Sequence, residues 1–303
     1  MAISRSQLVK ELEPGLNALF GLEFKRYENQ HAEIYATESS DRAFEEEVML
    51  SGFANAQVKG EGSGVSFDEA QETFTARYTH ETVALAFAIT EEAIEDNLYD
   101  RLASRYTKAL ARSMSNAKQV KSVEPLINGL PTADNFDSGD GVSLFNTSHP
   151  TVAGTFANTL ATQADLNETS LEQSLIDIAA MTDERGLRIA ARGLKMIIPS
   201  ELQFTAERLM KSQGRTGTAD NDVNAIVSMG MIPQGYRVNN YLTDSDAFYI
   251  LTDVPNGMKM FNRAPLTTAM EGDFDTGNVR YKARERYSFG VSDPRGIFGV
   301  EGA

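Results

Sequence analysis

Residues 90–122 read TEEAIEDNLYDRLASRYTKALARSMSNAKQVKS, and the fold turns on this stretch. Ile94, Leu98, Leu102, Tyr106, Leu110 and Met114 recur at four-residue steps, which predicts one long amphipathic helix. Thr90 suits the N-cap, and Pro125 with Gly129 is expected to end the pattern. Glu91, Glu92, Glu95, Asp96 and Asp100 come first, and Arg101, Arg105, Lys108, Arg112, Lys118 and Lys121 follow, so the charges run with the helix dipole. At 1.5 Å per residue, about 30 helical residues span about 45 Å, against a mean helix of about 11 to 12 residues. Such a helix serves as a spine for other elements.

Upstream, two extended segments flank Gly60-Glu61-Gly62-Ser63-Gly64 and predict a long hairpin. Its second limb, Val65 to Tyr78, sets Val65, Phe67, Phe74 and Tyr78 among polar residues, too little apolar surface for a core of its own. A projecting hairpin of this kind needs support from another chain. Further upstream, Ser6 to Tyr27 carries Leu8, Leu12, Leu16, Leu19, Phe20 and Phe24 near helical spacing, with Pro14-Gly15 expected to split it in two. Two readings stay open: a peripheral helix on its own core, or an arm laid on a neighbouring subunit.

Downstream, 126–166 is rich in Gly, Pro, Asn, Asp, Ser and Thr and reads as a loop between subdomains. An α+β unit follows, with helices expected at Glu168 to Glu184 and Ser200 to Ser212, and strands at Leu194 to Ile198, Tyr236 to Tyr241 and Ala247 to Thr252. Asn278 to Val300 alternates like strands around a turn at Asp293-Pro294-Arg295-Gly296.

The 303 residues, 41% hydrophobic, suffice for one large core or two modest ones. The absence of cysteine excludes disulfides, thiol nucleophiles and thiolate metal sites. No run approaches the roughly 20 apolar residues of a membrane span, and neither a signal peptide nor an anchor is expected. A net charge of -15 argues against tight nucleic-acid binding.

Enzyme signatures are missing. His31, His80 and His149 are scattered, with no HExxH pattern. GEGSG at 60–64 and GRTG at 214–217 lack the context of phosphate-binding loops, and DNFDSGDG at 134–141 and EGDFDTGN at 271–278 read as turns rather than cation sites. No catalytic, cofactor-binding or metal-binding residue is assigned.

The order of parts, with LVKELEPGLNALFGLEFKRY at 8–27, FAITEEAIEDNLYDRLASRYTKALARSM at 87–114, LFNTSHP at 144–150, TADNDVNAI at 218–226 and NVRYKARERYSFGVSDPRGIFG at 278–299, resembles the HK97-type major capsid proteins of tailed bacteriophages, including the Mu-like group. The resemblance covers nearly the whole chain and implies an α+β, HK97-like capsid fold. It divides the chain into an N-terminal arm (1–45), an E-loop (46–80), a peripheral domain (81–135 and 276–303), and a connecting loop with an axial domain (136–275).

It implies self-assembly through pentamers and hexamers into an icosahedral head that encloses double-stranded DNA without tight specific binding. Assembly would occur in the host bacterial cytoplasm with a portal, optionally a decoration protein, and a separate scaffolding protein, because the arm-like segment starts within the first ten residues. An encapsulin-like nanocompartment shell and a soluble hydrolase with an unrecognised carboxylate pair are the alternatives. The candidates for contact between subunits are Lys59, Glu61 and Arg77 on the hairpin against Glu92, Asp96, Arg101 and Arg105 of a neighbour's spine.

Overall fold

The computed structural model describes residues 5–90, 92, 99–133, 136–214, 222–273 and 277–303, the side chains of 5–12 and 99–102 excepted. The spine is α2 (Tyr99–Asn128), laid with α1 (Arg5–Arg26) across one face of a four-stranded sheet. That sheet runs in the order β1 (Ala36–Ser39), β10 (Met258–Gly272), β11 (Val279–Val291), β4 (Glu81–Ile89), with β1 parallel to β10 and the other pairs antiparallel.

The alternation in VRYKARERYSFGV explains how one strand serves two faces. Tyr281, Ala283, Glu285 and Tyr287 point under the helices and are buried, while Arg280, Lys282 and Arg284 point away and are exposed. Leu16 and Phe20 of α1, Leu110, Ala111 and Met114 of α2, and Tyr281 and Ala283 share one core. Burial of each large apolar side chain there contributes about 1.5 to 3 kcal/mol.

A second sheet, ordered β12 (Ile297–Val300), β9 (Phe248–Thr252), β7 (Gly193–Ile198), β8 (Tyr236–Val238), carries α3 (Glu168–Ala180), α4 (Gln203–Lys211) and α5 (Ala225–Met229). Its core gathers Leu171, Ile178, Met196, Phe248, Ile250 and Phe298. The two units are joined through Leu126, Phe145, Tyr249, Met260, Tyr287 and Ile297. A short ribbon, β5 (His149–Thr151) with β6 (Gly154–Phe156), lies in the loop region.

Several expectations are corrected. α1 runs unbroken through Pro14, which forgoes one helical bond while Leu16 and Phe20 bury, and Asn17 accepts hydrogen bonds from Thr268 and Tyr281. From its middle onward the expected arm therefore packs on its own chain. Pro125 does not stop α2, which runs to Asn128; the stop comes where Gly129 N–H bonds Pro125 O and a Cβ on Gly129 would lie 2.6 Å from Leu144. The expected helical start near Thr90 falls largely outside the described residues. α3 ends at Ala180 rather than Glu184, because Asp183 turns the chain by accepting the N–H groups of Arg185 and Leu187.

Sheet membership also departs from the expected boundaries. β10 lies in the spine's sheet, although 136–275 were grouped with the axial part, and β12 pairs with β9 of the second sheet, although 276–303 were grouped with the spine.

Candidate inter-subunit surfaces

The hairpin is regular only at its base, where β2 (Phe44–Leu50) pairs with β3 (Glu72–Thr79). The second strand thus starts seven residues later than the sequence pattern suggests. Beyond it the limbs are held by scattered bonds: Ser51 N–H to Gln71 O at 2.9 Å, Ala54 N–H to Asp68 Oδ2 at 2.6 Å, and Ser63 N–H to Gly60 O at 3.1 Å across the tip. Gly62 supplies the turn's positive φ of +77°. Val58 is 100% and Phe67 97% exposed, so the outer half buries almost nothing in its own chain.

The root, by contrast, is locked. Tyr78 is buried with its ring 4.8 Å from that of Phe261, and its hydroxyl meets Ser292 Oγ at 2.5 Å. His80 is buried with Nε2 2.9 Å from Ser40 Oγ and Nδ1 3.0 Å from Ser288 Oγ. Burial, then the charge of Arg286, lowers its pKa. Lys259 reaches Glu47 at 2.6 Å and Glu38 at 3.1 Å. Burial opposes its charge, yet the bonds to Glu47 and Glu38 outweigh burial and raise its pKa.

Farther out, the hairpin touches the second unit where Arg185 Nη2 donates to Glu69 O at 2.5 Å. Near its base a cleft of about 360 Å³ separates Leu50 and Gly52 from Glu184, Asp253 and Asp293.

The expected contact residues are spread out. Lys59 and Glu61 are exposed at the tip and form no ion pair among the described residues. Arg77 is occupied inside the hairpin, with Nε 3.8 Å from Glu46 Oε1 and its guanidinium 4.2 Å above the Phe44 ring. Glu92 and Arg105 are exposed, Asp96 lies outside the described residues, and so does the side chain of Arg101. The hairpin root packs on the sheet face of Phe261 and Gly290, opposite the face covered by the spine, so one chain does not bring the described members of this set together. The root residues Tyr78, His80 and Lys259 were not anticipated; no sequence motif marks them, because their partners lie more than 35 residues away.

Among the described residues no group of three or more His, Asp or Glu side chains is placed to hold a metal ion. What the hairpin and sheet offer instead is surface.

Residues 72–300 match a family model described as phage capsid protein. The chain belongs to the phage capsid protein family. Its work is therefore structural rather than catalytic, and its place is the virion. No curated protein sequence matches this capsid protein. Solved structures similar in fold include a virus-like particle from Pyrococcus furiosus, with 10% identity, a TM-score of 0.56, and coverage of 95% of this chain and 98% of that one. The capsid of Myoviridae Phage XM1 has 11% identity and a TM-score of 0.53 over 89% of both chains. The capsid of an empty GTA particle has 14% identity and a TM-score of 0.53 over 90% and 89%. At these identities the likeness establishes the HK97-like fold, not the contacts.

Proposed function

We propose that this capsid protein assembles through pentamers and hexamers into an icosahedral head that encloses packaged double-stranded DNA. It would do so in the host bacterial cytoplasm, with portal and scaffolding proteins and optionally a decoration protein on the finished shell. The carrying observation is the hairpin. Its outer half, with Phe53, Val58, Val65 and Phe67 all more than half exposed, buries almost no apolar surface in its own chain and is stabilised once a neighbour covers it. Residues 46–80 then serve as the E-loop, the sheet with α2 as the peripheral domain, and the sheet with α3 to α5 as the axial domain. Lys59 and Glu61, exposed at the tip and without an ion pair among the described residues, supply polar contacts to the neighbour.

Size-exclusion chromatography and electron microscopy of the purified protein test this reading. Hollow, uniform particles support it; a stable monomer defeats it. Particles from infected cells that hold nuclease-protected double-stranded DNA rather than a protein cargo separate the phage head from a nanocompartment.

A further inference from the structure

The sequence holds two Asn-Gly pairs, Asn128-Gly129 and Asn256-Gly257. An asparagine before glycine is open to attack on its side-chain amide by the following backbone nitrogen, because glycine has no Cβ to block the approach. The fold treats the two pairs oppositely.

Asn128 is the last residue of α2, and Gly129 behind it is buried. Gly129 N–H donates to Pro125 O at 3.1 Å, and its carbonyl accepts the Phe145 N–H at 2.9 Å. A Cβ on Gly129 would lie 2.6 Å from Leu144 Cβ. A nitrogen held this way is not free to swing onto a neighbouring side chain.

Asn256 lies in the turn that carries the chain from β9 of the second sheet to β10 of the first. Val254-Pro255-Asn256-Gly257, with Asn256 at φ +59°, fits a type II turn, in which proline precedes a residue of positive φ. Asn256 is exposed, and neither its side-chain amide nor the Gly257 N–H makes a hydrogen bond among the described residues. The chain around it is pinned: Asp253 N–H bonds Arg192 O at 3.0 Å, and Ser292 N–H bonds Gly257 O at 3.0 Å. The turn is thus anchored on both sides and free at the two reacting groups.

We propose that Asn256 is a site of spontaneous deamidation and that the fold protects Asn128. The Gly257 nitrogen bonds to Asn256 Cγ, and the side-chain nitrogen leaves as ammonia, taking the proton that Gly257 gives up. Water opens the resulting cyclic imide. Opening at the Cγ–N bond leaves an aspartate in an ordinary chain; opening at the main-chain carbonyl leaves an isoaspartate, whose backbone runs through Cβ and Cγ. Nothing is oxidised or reduced. The isoaspartate lengthens the chain where there is no slack, since Gly257 lies against Gly296 of the return crossing from β11 to β12, so closely that a Cβ on Gly257 would stand 2.7 Å from Gly296 Cα. The joint between the two sheets therefore loosens as the protein ages, whether or not the subunit has assembled.

The test incubates the purified full chain at mildly alkaline pH, where a backbone amide loses its proton more readily, and maps its peptides by mass spectrometry. Reaction at Asn128 must await local opening of the helix end, so Asn256 should deamidate about tenfold faster or more in the folded chain. In urea the two pairs should react at similar rates. Asn256→Gly, which suits the positive φ, should remove the isoaspartate detected by an isoaspartate-specific methyltransferase. Equal rates at the two sites in the folded chain, an Asn256 that reacts only in urea, or isoaspartate that survives Asn256→Gly would overturn the assignment. Amide exchange at Ser292 should quicken in the isoaspartyl fraction; unchanged exchange there would overturn the loosening of the joint.

Discussion

Lys118 of the spine helix sits with its Nζ 3.1 Å from Glu285 Oε2 of β11, beneath the sheet, where the Glu285 side chain is only 2% exposed. Burial pushes the Glu285 carboxyl upward and Lys118 opposes that shift. Its other oxygen has no hydrogen-bond partner among the described residues. The pair thus links helix to sheet while leaving part of its desolvation cost uncompensated.

Removing the lysine alone strands that carboxylate. Lys118→Ala is expected to cost about 3 to 5 kcal/mol in urea unfolding of unassembled subunits, whereas Lys118→Met with Glu285→Leu, which replaces both charges by apolar groups, costs far less. Equal losses for the single and double variants would sink this account.

Acid sensitivity should arise near the same helix. His31 is held near pKa 4, below its ordinary 6.5, by burial first and the Lys118 charge second. Gln119 accepts the His31 backbone N–H at its Oε1 and therefore turns its Nε2 to the ring nitrogen Nδ1, 3.0 Å away, which suits a neutral imidazole. The unfolded chain takes up a proton below 6.5 and the folded chain only below about 4, so stability falls as pH drops through that window. The full effect is about 3 kcal/mol. A His31→Gln variant, followed by urea midpoints between pH 7 and pH 4, should lose about one proton's worth of slope; an unchanged slope contradicts the assignment.

The hairpin root makes a third prediction. A Cβ on Gly290 would stand 2.6 Å from Tyr78 Cε1, so Gly290→Ala must displace the ring that seats β3 on the sheet. The expected cost is about 1 to 3 kcal/mol, the range for overpacking a filled site. Amide exchange should quicken at Ala76 to His80 while α3 stays protected. Uniform quickening across both sheets would point to global destabilisation instead.

The periodic features were legible in the sequence. Four-residue steps marked α2, the alternation of VRYKARERYSFGV marked β11, and the polar limb of the hairpin announced that it lacked a core. Long-range pairing was not legible, since nothing local brings Ala36 beside Lys259 or sends Ile297 to Leu251 in the other sheet. The prolines misled because a helix pressed by Leu16 and Phe20 onto its sheet tolerates a missing bond that would end an isolated helix. His149 looked like a loop residue, yet it is fully buried between Asp140 at 2.6 Å and Asn158 at 2.9 Å. The outward cations of β11 were in plain view, but only the register with Ala84, Ala86 and Ala88 shows them as a surface.

The hairpin charges offer the last prediction, because the structure separates two residues that sequence alone groups together. Lys59 stands in solvent, so Lys59→Glu should leave the unassembled subunit's stability within about 0.5 kcal/mol, as for ordinary surface changes, and act only on assembly. Arg77 stacks on Phe44 and faces Glu46 across the two strands, and its reversal sets two acids opposite each other at the hairpin base. Exposed pairs contribute about 0 to 1 kcal/mol and an exposed cation-π contact about 0.5 to 1 kcal/mol, so Arg77→Glu should loosen β2 and β3 by about 1 kcal/mol before any neighbour is involved. Amide exchange at Phe44 to Leu50 in unassembled subunits distinguishes the two: faster in Arg77→Glu, unchanged in Lys59→Glu. If both variants exchange like the wild type and both assemble normally, neither residue holds the hairpin or its neighbour.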